Sequence, residues 1–396
     1  MRIPYGRQTI TPEDIQAVSD VLNSDFLTTG PKNFEFEEKF AKYIGSQYAV
    51  SVANGTAALH LCAMALGVKQ GQKFITTPIT FVASANCIEY CGGEIVFADI
   101  NPDTYLLDIN KVEELINNNP PGTFSGIIPV DFAGQPVNLE EFRNLADKHG
   151  LWIIEDACHA PGAFFTDSKG EKQNCGNGKF ADLSIFSFHP VKHIACGEGG
   201  MVTTNNEELK RKVKILRSHG TTKEESLFVN SLKESEGRDN TKSVNYPGWY
   251  YEMQELGYNY RLTDFQAALG ISQLTRAEKG LRRREEIAAK YDEAFVEKDI
   301  ITPVRIKNSR HAWHLYVIQV DNRREFYDHL VANGIFAQIH YIPVHLQPFY
   351  KNRGWKNGDF PVAEKYYEKC ISLPMYPGLS NEQQEYVINK VLEFLK

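Results

Sequence analysis

Short apolar strands alternating with helical stretches leave this 396-residue chain few architectures to choose from. Residues 49–66 read AVSVANGTAALHLCAMAL, which predicts a strand over Ala49–Val52, a polar turn at Asn54-Gly55-Thr56 and an Ala/Leu-rich helix. KFITTPITFVASANCIEY repeats the unit, and GGEIVFADI, GIIPVDFAG, LWIIEDACHA, DLSIFSFH and GGMVTTN supply further short apolar runs. Strands this apolar and this regularly followed by helices imply an α/β fold, a parallel or mostly parallel sheet wrapped by helices. In such sheets ligands bind beyond the carboxyl ends of the strands. Asn54-Gly55-Thr56, Asp156 with His159, and Ser187 with Lys192 all fall just past a strand end, so one sheet edge is predicted to gather them.

Before the first strand, Thr11-Pro12-Glu13-Asp14 has the form of a helix start, with a capping hydroxyl, a proline in the first turn and early carboxylates. A second helix is predicted over Asn33–Ile44. Residues 221–248 are polar and weakly periodic, and read as a long loop; Leu262–Lys290 is strongly helical. The pattern then changes to HAWHLYVIQV, a helix over Arg323–Asn333, IFAQIHYIPV, and a last helix over Ser380–Lys396, which together read as a smaller α+β unit. The division expected is a large domain over 1–250 and a smaller one over 251–396, with the junction within or just after the helical region.

Composition narrows the function. A formal net charge of −7 leaves no basic excess for nucleic acid, and the densest basic run, Arg282-Arg283-Arg284, is answered at once by Glu285-Glu286. Seven scattered cysteines with no Cys-x-x-Cys suit a reducing cytoplasm rather than a disulfide framework or zinc site. No apolar run reaches membrane-spanning length, and MRIPYGRQTITPEDIQAV lacks the apolar core of a signal peptide. The chain holds no G-x-x-x-x-G-K-[ST], G-x-G-x-x-G after a strand, G-x-S-x-G or H-E-x-x-H. His340/His345 and His311/His314 are read as strand-borne core or cleft histidines rather than metal ligands.

Lys192 stands out in SFHPVKHIACGEGGMV. Most lysines are solubilising surface charges, but this one sits in a strand-following loop beside Pro190 and glycines 197, 199 and 200, which would allow a ligand close to the backbone. A desolvated lysine there can bond a carbonyl. Asp156 ends an apolar strand; it suits a helix cap, and equally an acidic partner that keeps a pyridine nitrogen protonated, with His159 beside the same ring. The Asn54-Gly55-Thr56 turn offers free amides and a hydroxyl to a phosphate, and Ser187 a second hydroxyl. Phe81 fits a core position or a lid over an aromatic ring.

Across nearly its whole length the chain resembles the nucleotide-sugar aminotransferases, the DegT-like group of the fold-type I pyridoxal-phosphate superfamily. The resemblance rests on IPYGRQTITPEDIQAV, FLTTGPKNFEFEEKFA, VANGTAALHLCAMALGV, TPITFVASAN, VDFAGQP, IIEDACHAPGA, SFHPVKHIACGEGGMV, LRSHG and ELGYNYRLTDFQAALGISQL. It implies pyridoxal 5'-phosphate as cofactor, with pyridoxamine phosphate formed in turnover, and assigns Lys192 as the Schiff-base lysine. Asp156 matches the ring-nitrogen partner, His159 a ring contact, Phe81 the stacking aromatic, and Gly55, Thr56 and Ser187 phosphate contacts. Asn259, in GYNYR, matches an asparagine that reaches the phosphate from the neighbouring subunit, which implies a homodimer with shared sites. Thr29, His340 and Tyr341 match segments along the sugar-nucleotide cleft. The implied reaction is ping-pong transfer of an amino group from L-glutamate to a nucleotide-linked 4-keto-6-deoxy sugar. RQTITPEDIQAV, SDFLTTGPK and YYEMQELGYNYRLTD look closest to enzymes that aminate C4 of a UDP-linked N-acetylhexosamine on the route to pseudaminic acid. Ile194-Ala195-Cys196 departs from the Ile-Thr-Thr expected there. The resemblance leaves open a GDP- or dTDP-keto-sugar 3- or 4-aminotransferase and, more remotely, a non-catalytic pyridoxal-phosphate-binding regulator.

Overall fold

In the computed structural model, which describes residues 2–236 and 245–396, the apolar runs of the first half assemble into one seven-stranded sheet. Its strands are β1 (Tyr48–Val52), β2 (Lys73–Thr76), β3 (Glu94–Phe97), β4 (Gly126–Ile128), β5 (Trp152–Asp156), β6 (Leu183–Ser187) and β7 (Gly200–Thr204). The spatial order is β1-β7-β6-β5-β4-β2-β3. Neighbours from β6 through β3 run parallel, while β7 is antiparallel to both β6 and β1. The sheet is therefore mostly parallel, and β4, β5, β6 and the turn after β1 deliver their carboxyl ends to one region.

The helices form where the caps are placed. Pro12–Leu22 starts at Thr11, whose backbone N–H donates to Asp14 Oδ2 at 2.9 Å in a capping box. Pro31–Ile44 begins two residues earlier than the sequence pattern suggests. Asp264, buried at the head of another helix, accepts from the backbone N–H groups of Gly30 and Lys32 and from Asn33 Nδ2, and so caps it from outside. Gly55–Ala65 is capped by Asn54, whose side chain accepts from Ala57 N–H.

Buried side chains fall into three clusters. One spans both faces of the sheet, from Val50 to Val213, and takes in Leu315, Val344, Tyr350 and Tyr366 from the later chain. A second joins Phe36, Phe40, Phe186, Phe188 and Ile194 to Leu262, Ala267, Ala277 and Leu281. The third, including Ile287, Tyr291, Tyr316, Phe326, Leu373 and Val391, is built almost wholly from the last third of the chain.

The structure departs from the sequence pattern in four places. The helical stretch after Leu262 is two helices, Asp264–Leu274 and Ala277–Phe295, parted at Arg276, whose guanidinium turns away to Asp14 and the Thr9 carbonyl. In HAWHLYVIQV only Tyr316–Gln319 is strand: Ala312 and Leu315 donate instead to the carbonyls of Gly134 and Ala133, so this stretch docks on a turn and the His311/His314 pair is loop-borne. IFAQIHYIPV is strand only at Ile335–Phe336. The polar segment 221–248 holds a short strand, Thr221–Thr222, and a helix, Leu232–Glu236; residues 237–244 of it lie outside the described residues.

Candidate active site

A cavity of about 670 Å³ opens over the carboxyl ends of β5 and β6, against the first turn of Gly55–Ala65. Its wall includes Gly55, Thr56, Phe81, Asp156, His159, Ser187, Lys192, His340 and Tyr341. Nine residues scattered over 287 positions of sequence are thus brought to one concavity.

The phosphate-sized end is made by sequence that has no other means of satisfying its amides. Asn54 uses its side chain for Ala57 N–H and its carbonyl for Ala58 N–H. The amides of Gly55 and Thr56 keep no acceptor among the described residues, at a helix N-terminus where the dipole favours an anion. Ser187 closes the cup: a Cβ on Gly55 would stand 3.0 Å from Ser187 Cβ and 3.4 Å from its hydroxyl. Any side chain at 55 would fill the space an anion needs.

At the other end, Asp156 is buried and held from two sides. Ser84 Oγ donates to Oδ2 at 2.6 Å, and Cys158 N–H donates to Oδ1 at 3.1 Å, so the cap-like turn and the buried acid are the same group. Thr80 Oγ1 lies 2.8 Å from Ser84 Oγ and extends the network. Because successive strand residues face opposite ways, Glu155 points through the sheet, where Gly176 N–H and Ser184 Oγ meet it.

Lys192 is half-buried in the cavity wall, one turn beyond His189, whose carbonyl accepts its N–H. Burial lowers its ammonium from the usual lysine range, while Asp156 pulls the other way. His159 is fully set: Ala133 N–H donates to Nδ1 at 3.3 Å, which leaves the proton on Nε2, 3.3 Å from the Tyr341 hydroxyl. Burial pushes His159 well below the ordinary imidazole range, with Lys192 and two histidines adding to it, so the ring is neutral. His340 is pushed down to about 3 by burial and pairs through Nδ1 with Ser372 Oγ at 2.8 Å. Phe81 stands at the cavity mouth, 58% exposed, its ring 6.2 Å from that of Tyr341.

Two predicted residues lie off this wall. Thr29 is exposed and sits beside the Thr28–Thr263 bridge; Asn259 is exposed on the Ser218 bridge. Two of the glycines after Lys192 have backbone reasons to be glycine. Gly197 adopts φ +81°, and a Cβ on Gly200 would lie 2.5 Å from the Asn54 carbonyl oxygen, so Gly200 lets β7 pack against the turn that forms the cup.

The cavity also contains residues that the sequence did not single out: Tyr5, Ser84, Cys158 and Tyr260. His314, buried, lies with its ring centroid 4.2 Å from that of His159. None carries a local motif; Ser84 is only an internal helix residue until β5 is packed against it.

The residues fit pyridoxal phosphate: an anion cup at a helix N-terminus, a desolvated amine, and a fixed buried carboxylate on one cavity. Comparison with known proteins agrees. The chain is 36% identical, over 403 residues, to a UDP-4-amino-4,6-dideoxy-N-acetyl-beta-L-altrosamine transaminase of Campylobacter jejuni, covering 100% of this chain and 98% of that one. Its fold matches Helicobacter pylori PseC, described as an aminotransferase in the biosynthesis of pseudoaminic acid, at TM-score 0.86 and 31% identity over 100% and 99% of the two chains. It also matches the sugar aminotransferase Spr1654 of Streptococcus pneumoniae in its PMP form, at TM-score 0.88 and 29% identity over 100% of both chains. Residues 8–392 match the DegT/DnrJ/EryC1/StrS aminotransferase family, and the chain belongs to that family as a pyridoxal-phosphate-dependent sugar aminotransferase acting on nucleotide sugars.

Proposed function

We propose that the substrate is a UDP-linked 4-keto-6-deoxy-N-acetylhexosamine, aminated at C4 with L-glutamate as donor, in two half-reactions of ping-pong form. The observation that carries this reading is the end-to-end likeness to the Campylobacter transaminase, which is named for a 4-amino-4,6-dideoxy sugar nucleotide. It is supported by an uninterrupted set of candidate catalytic side chains on one cavity.

The cofactor, when bound, supplies an aldehyde that carries the amino group between substrates and a ring that draws off electron density. The rest falls to the chain. Gly55, Thr56 and Ser187 anchor the phosphate, and Phe81 covers the ring face. Asp156, oriented by Ser84 and Cys158 N–H, holds a proton on the ring nitrogen. Lys192 Nζ, whose ammonium burial lowers from the usual lysine range, takes the proton from the donor's α-carbon and returns one to the sugar's C4. His159 donates from Nε2 and stays neutral, so no cation competes with Lys192. His340 and Tyr341 border the open side, where the sugar enters.

Asn259 reaches the phosphate of a second subunit in this reading. Near it Trp249, Tyr251, Met253 and Leu256 expose large apolar side chains, at 73%, 57%, 60% and 75%, which suits a face covered by a second copy.

The test is the absorbance spectrum of purified protein before and after L-glutamate, followed by borohydride trapping and peptide mapping. A yellow protein that bleaches with glutamate and carries reduced cofactor on Lys192 is expected. Presentation of UDP-, GDP- and dTDP-linked 3- and 4-keto sugars then identifies the acceptor; faster turnover of any other than the UDP-linked 4-keto sugar overturns the substrate.

A further inference from the structure

Behind the cavity, on the opposite face of β5 from Asp156, lies a group that the transfer chemistry does not use. Asp131, Glu155 and Cys175 are 0%, 1% and 1% exposed, and their ligand-capable atoms all lie within 4.8 Å of one another. Glu155 is well supplied with donors: Gly176 N–H at 2.9 and 3.0 Å to its two oxygens and Ser184 Oγ at 2.6 Å. Asp131 is not. Its Oδ1 accepts from Val137 N–H at 2.8 Å, while Oδ2, fully buried, has no partner of good hydrogen-bond geometry, although the Cys175 thiol faces the carboxyl. Two bare carboxylates at such range in a dry core repel strongly, and a buried acceptor with nothing to accept costs more again. Both difficulties vanish if Oδ2 is itself a donor.

We infer that Asp131 is a carboxylic acid in the folded protein, its Oδ2–H shared with Glu155, and that this pair, carrying one negative charge instead of two, is a positioning element for the active-site wall. The titratable groups coupled to the pair are Cys175, Cys158 and, through the strand, Asp156, and none of these is a cation that could hold both acids ionised. Burial and the Glu155 charge push the Asp131 carboxyl well above its ordinary range, and burial pushes Glu155 up to about 7. The same burial keeps Cys175 a thiol.

The position of Asp131 gives the proton a consequence. Its N–H donates to the Asp156 carbonyl at 3.1 Å, and its own carbonyl accepts from Gly134 N–H. The turn it starts presents Ala133 N–H to His159 Nδ1, and presents the Ala133 and Gly134 carbonyls to Leu315 and Ala312, on either side of His314. One buried acid therefore fixes the turn that sets the His159 tautomer and holds the loop carrying His314. This effect on the cofactor rests on the pyridoxal-phosphate reading; the proton does not.

The test reads the proton first, in the enzyme as isolated with its cofactor. For an acid whose folded value is raised, stability is fully present below the unfolded value, about pH 4, and is lost as pH climbs through the folded one. The pair's contribution to the melting temperature of the wild type is thus expected to fall as pH climbs from about 4 through the folded value. Asp131→Asn, whose amide donates to Glu155 and accepts from Val137 without titrating, is expected to flatten that fall, so that variant and wild type diverge as pH rises. Glu155→Gln, which places a second donor against Ser184 and Gly176, is expected to lower the melting temperature at all pH values. A flat pattern in Glu155→Gln and not in Asp131→Asn would put the proton on Glu155 and overturn the assignment.

Infrared difference spectra cover the case in which Asp131→Asn does not fold. A protonated-carboxyl carbonyl band at neutral pH, sensitive to deuterium, is expected in the wild type, and its absence sinks the proposal. So does stoichiometric zinc or another metal in the purified protein, since a cation would then be what the three groups hold. Asp131→Ala, which frees Val137 N–H, is expected to shift the cofactor absorbance maximum where Asp131→Asn leaves it; equal spectra in all three proteins remove the positioning role while leaving the proton itself to the stability test.

Discussion

Ser84 donates a 2.6 Å hydrogen bond to Asp156 Oδ2 inside the protein, and with Cys158 N–H it fixes where that carboxylate points. Ser84→Ala removes the side-chain donor and leaves a buried acid with the backbone contact alone. A lost donor to a buried charge costs about 1–3 kcal/mol, which is about tenfold or more if it falls on the transition state. The expected outcome is a kcat reduced by about tenfold with little change in KM for glutamate, together with weaker cofactor retention. An unchanged kcat would show that Cys158 N–H is sufficient.

How much of this was legible beforehand varied with the origin of each residue. Lys192, Asp156, Gly55 and Ser187 were readable because each lies at or within a few residues of a strand's carboxyl end, where an apolar run gives way to polar or glycine residues. Ser84 was not, since it lies inside a helix and only packing brings it to the cavity, and His314, read as a core or cleft histidine on a strand, lies in a loop. The glycines after Lys192 were read as allowing a ligand close to the backbone; at Gly200 the close approach is that of the Asn54 backbone. The antiparallel insertion of β7 between β1 and β6 leaves no mark in GGMVTT, because a strand buried on both faces looks alike in either direction.

Gly200 and Gly197 separate two uses of glycine. At Gly200 a Cβ would lie 2.5 Å from Asn54 O and 2.6 Å from Asn54 C, both backbone atoms that carry the anion cup. Gly200→Ala must displace the cup, at about 1–3 kcal/mol for overpacking. At Gly197 nothing lies within 4 Å, so Gly197→Ala meets only the strain of φ +81°, about 1–2 kcal/mol. Titration with pyridoxal phosphate is expected to show weakened affinity in Gly200→Ala and near-normal affinity in Gly197→Ala, with melting temperature lowered in both. The reverse ranking would place the cup elsewhere.

The pH dependence follows from Lys192. Burial lowers its ammonium, and only the free amine can accept a proton, so the rate of the proton-transfer half-reaction rises as pH climbs through that lowered value. The limb should carry a slope near one proton and lie below the ordinary lysine range. Cys158 lies beside this amine, but burial pushes its thiol well up, so it is uncharged at neutral pH. Cys158→Ser is therefore expected to leave the limb where it is, as measured by single-turnover rates across pH. A displaced limb in that variant would mean that a thiolate sets the lysine's protonation.

Asn259 supplies the sharpest check on the shared site, because it lies off the cavity of its own chain while Lys192 lies on it. Lys192→Ala and Asn259→Ala should each be inactive or nearly so as pure proteins. If each site draws its lysine from one subunit and its asparagine from the other, a mixed dimer has one doubly damaged site and one intact site. Reassembly of an equal mixture then gives mixed dimers in about half of the population, and about a quarter of all sites are wild type. Activity is expected to return to about that fraction after denaturation and joint refolding, and not after simple mixing of stable dimers. Activity no higher than the mean of the two parents would mean that Asn259 acts within its own chain or in neither site.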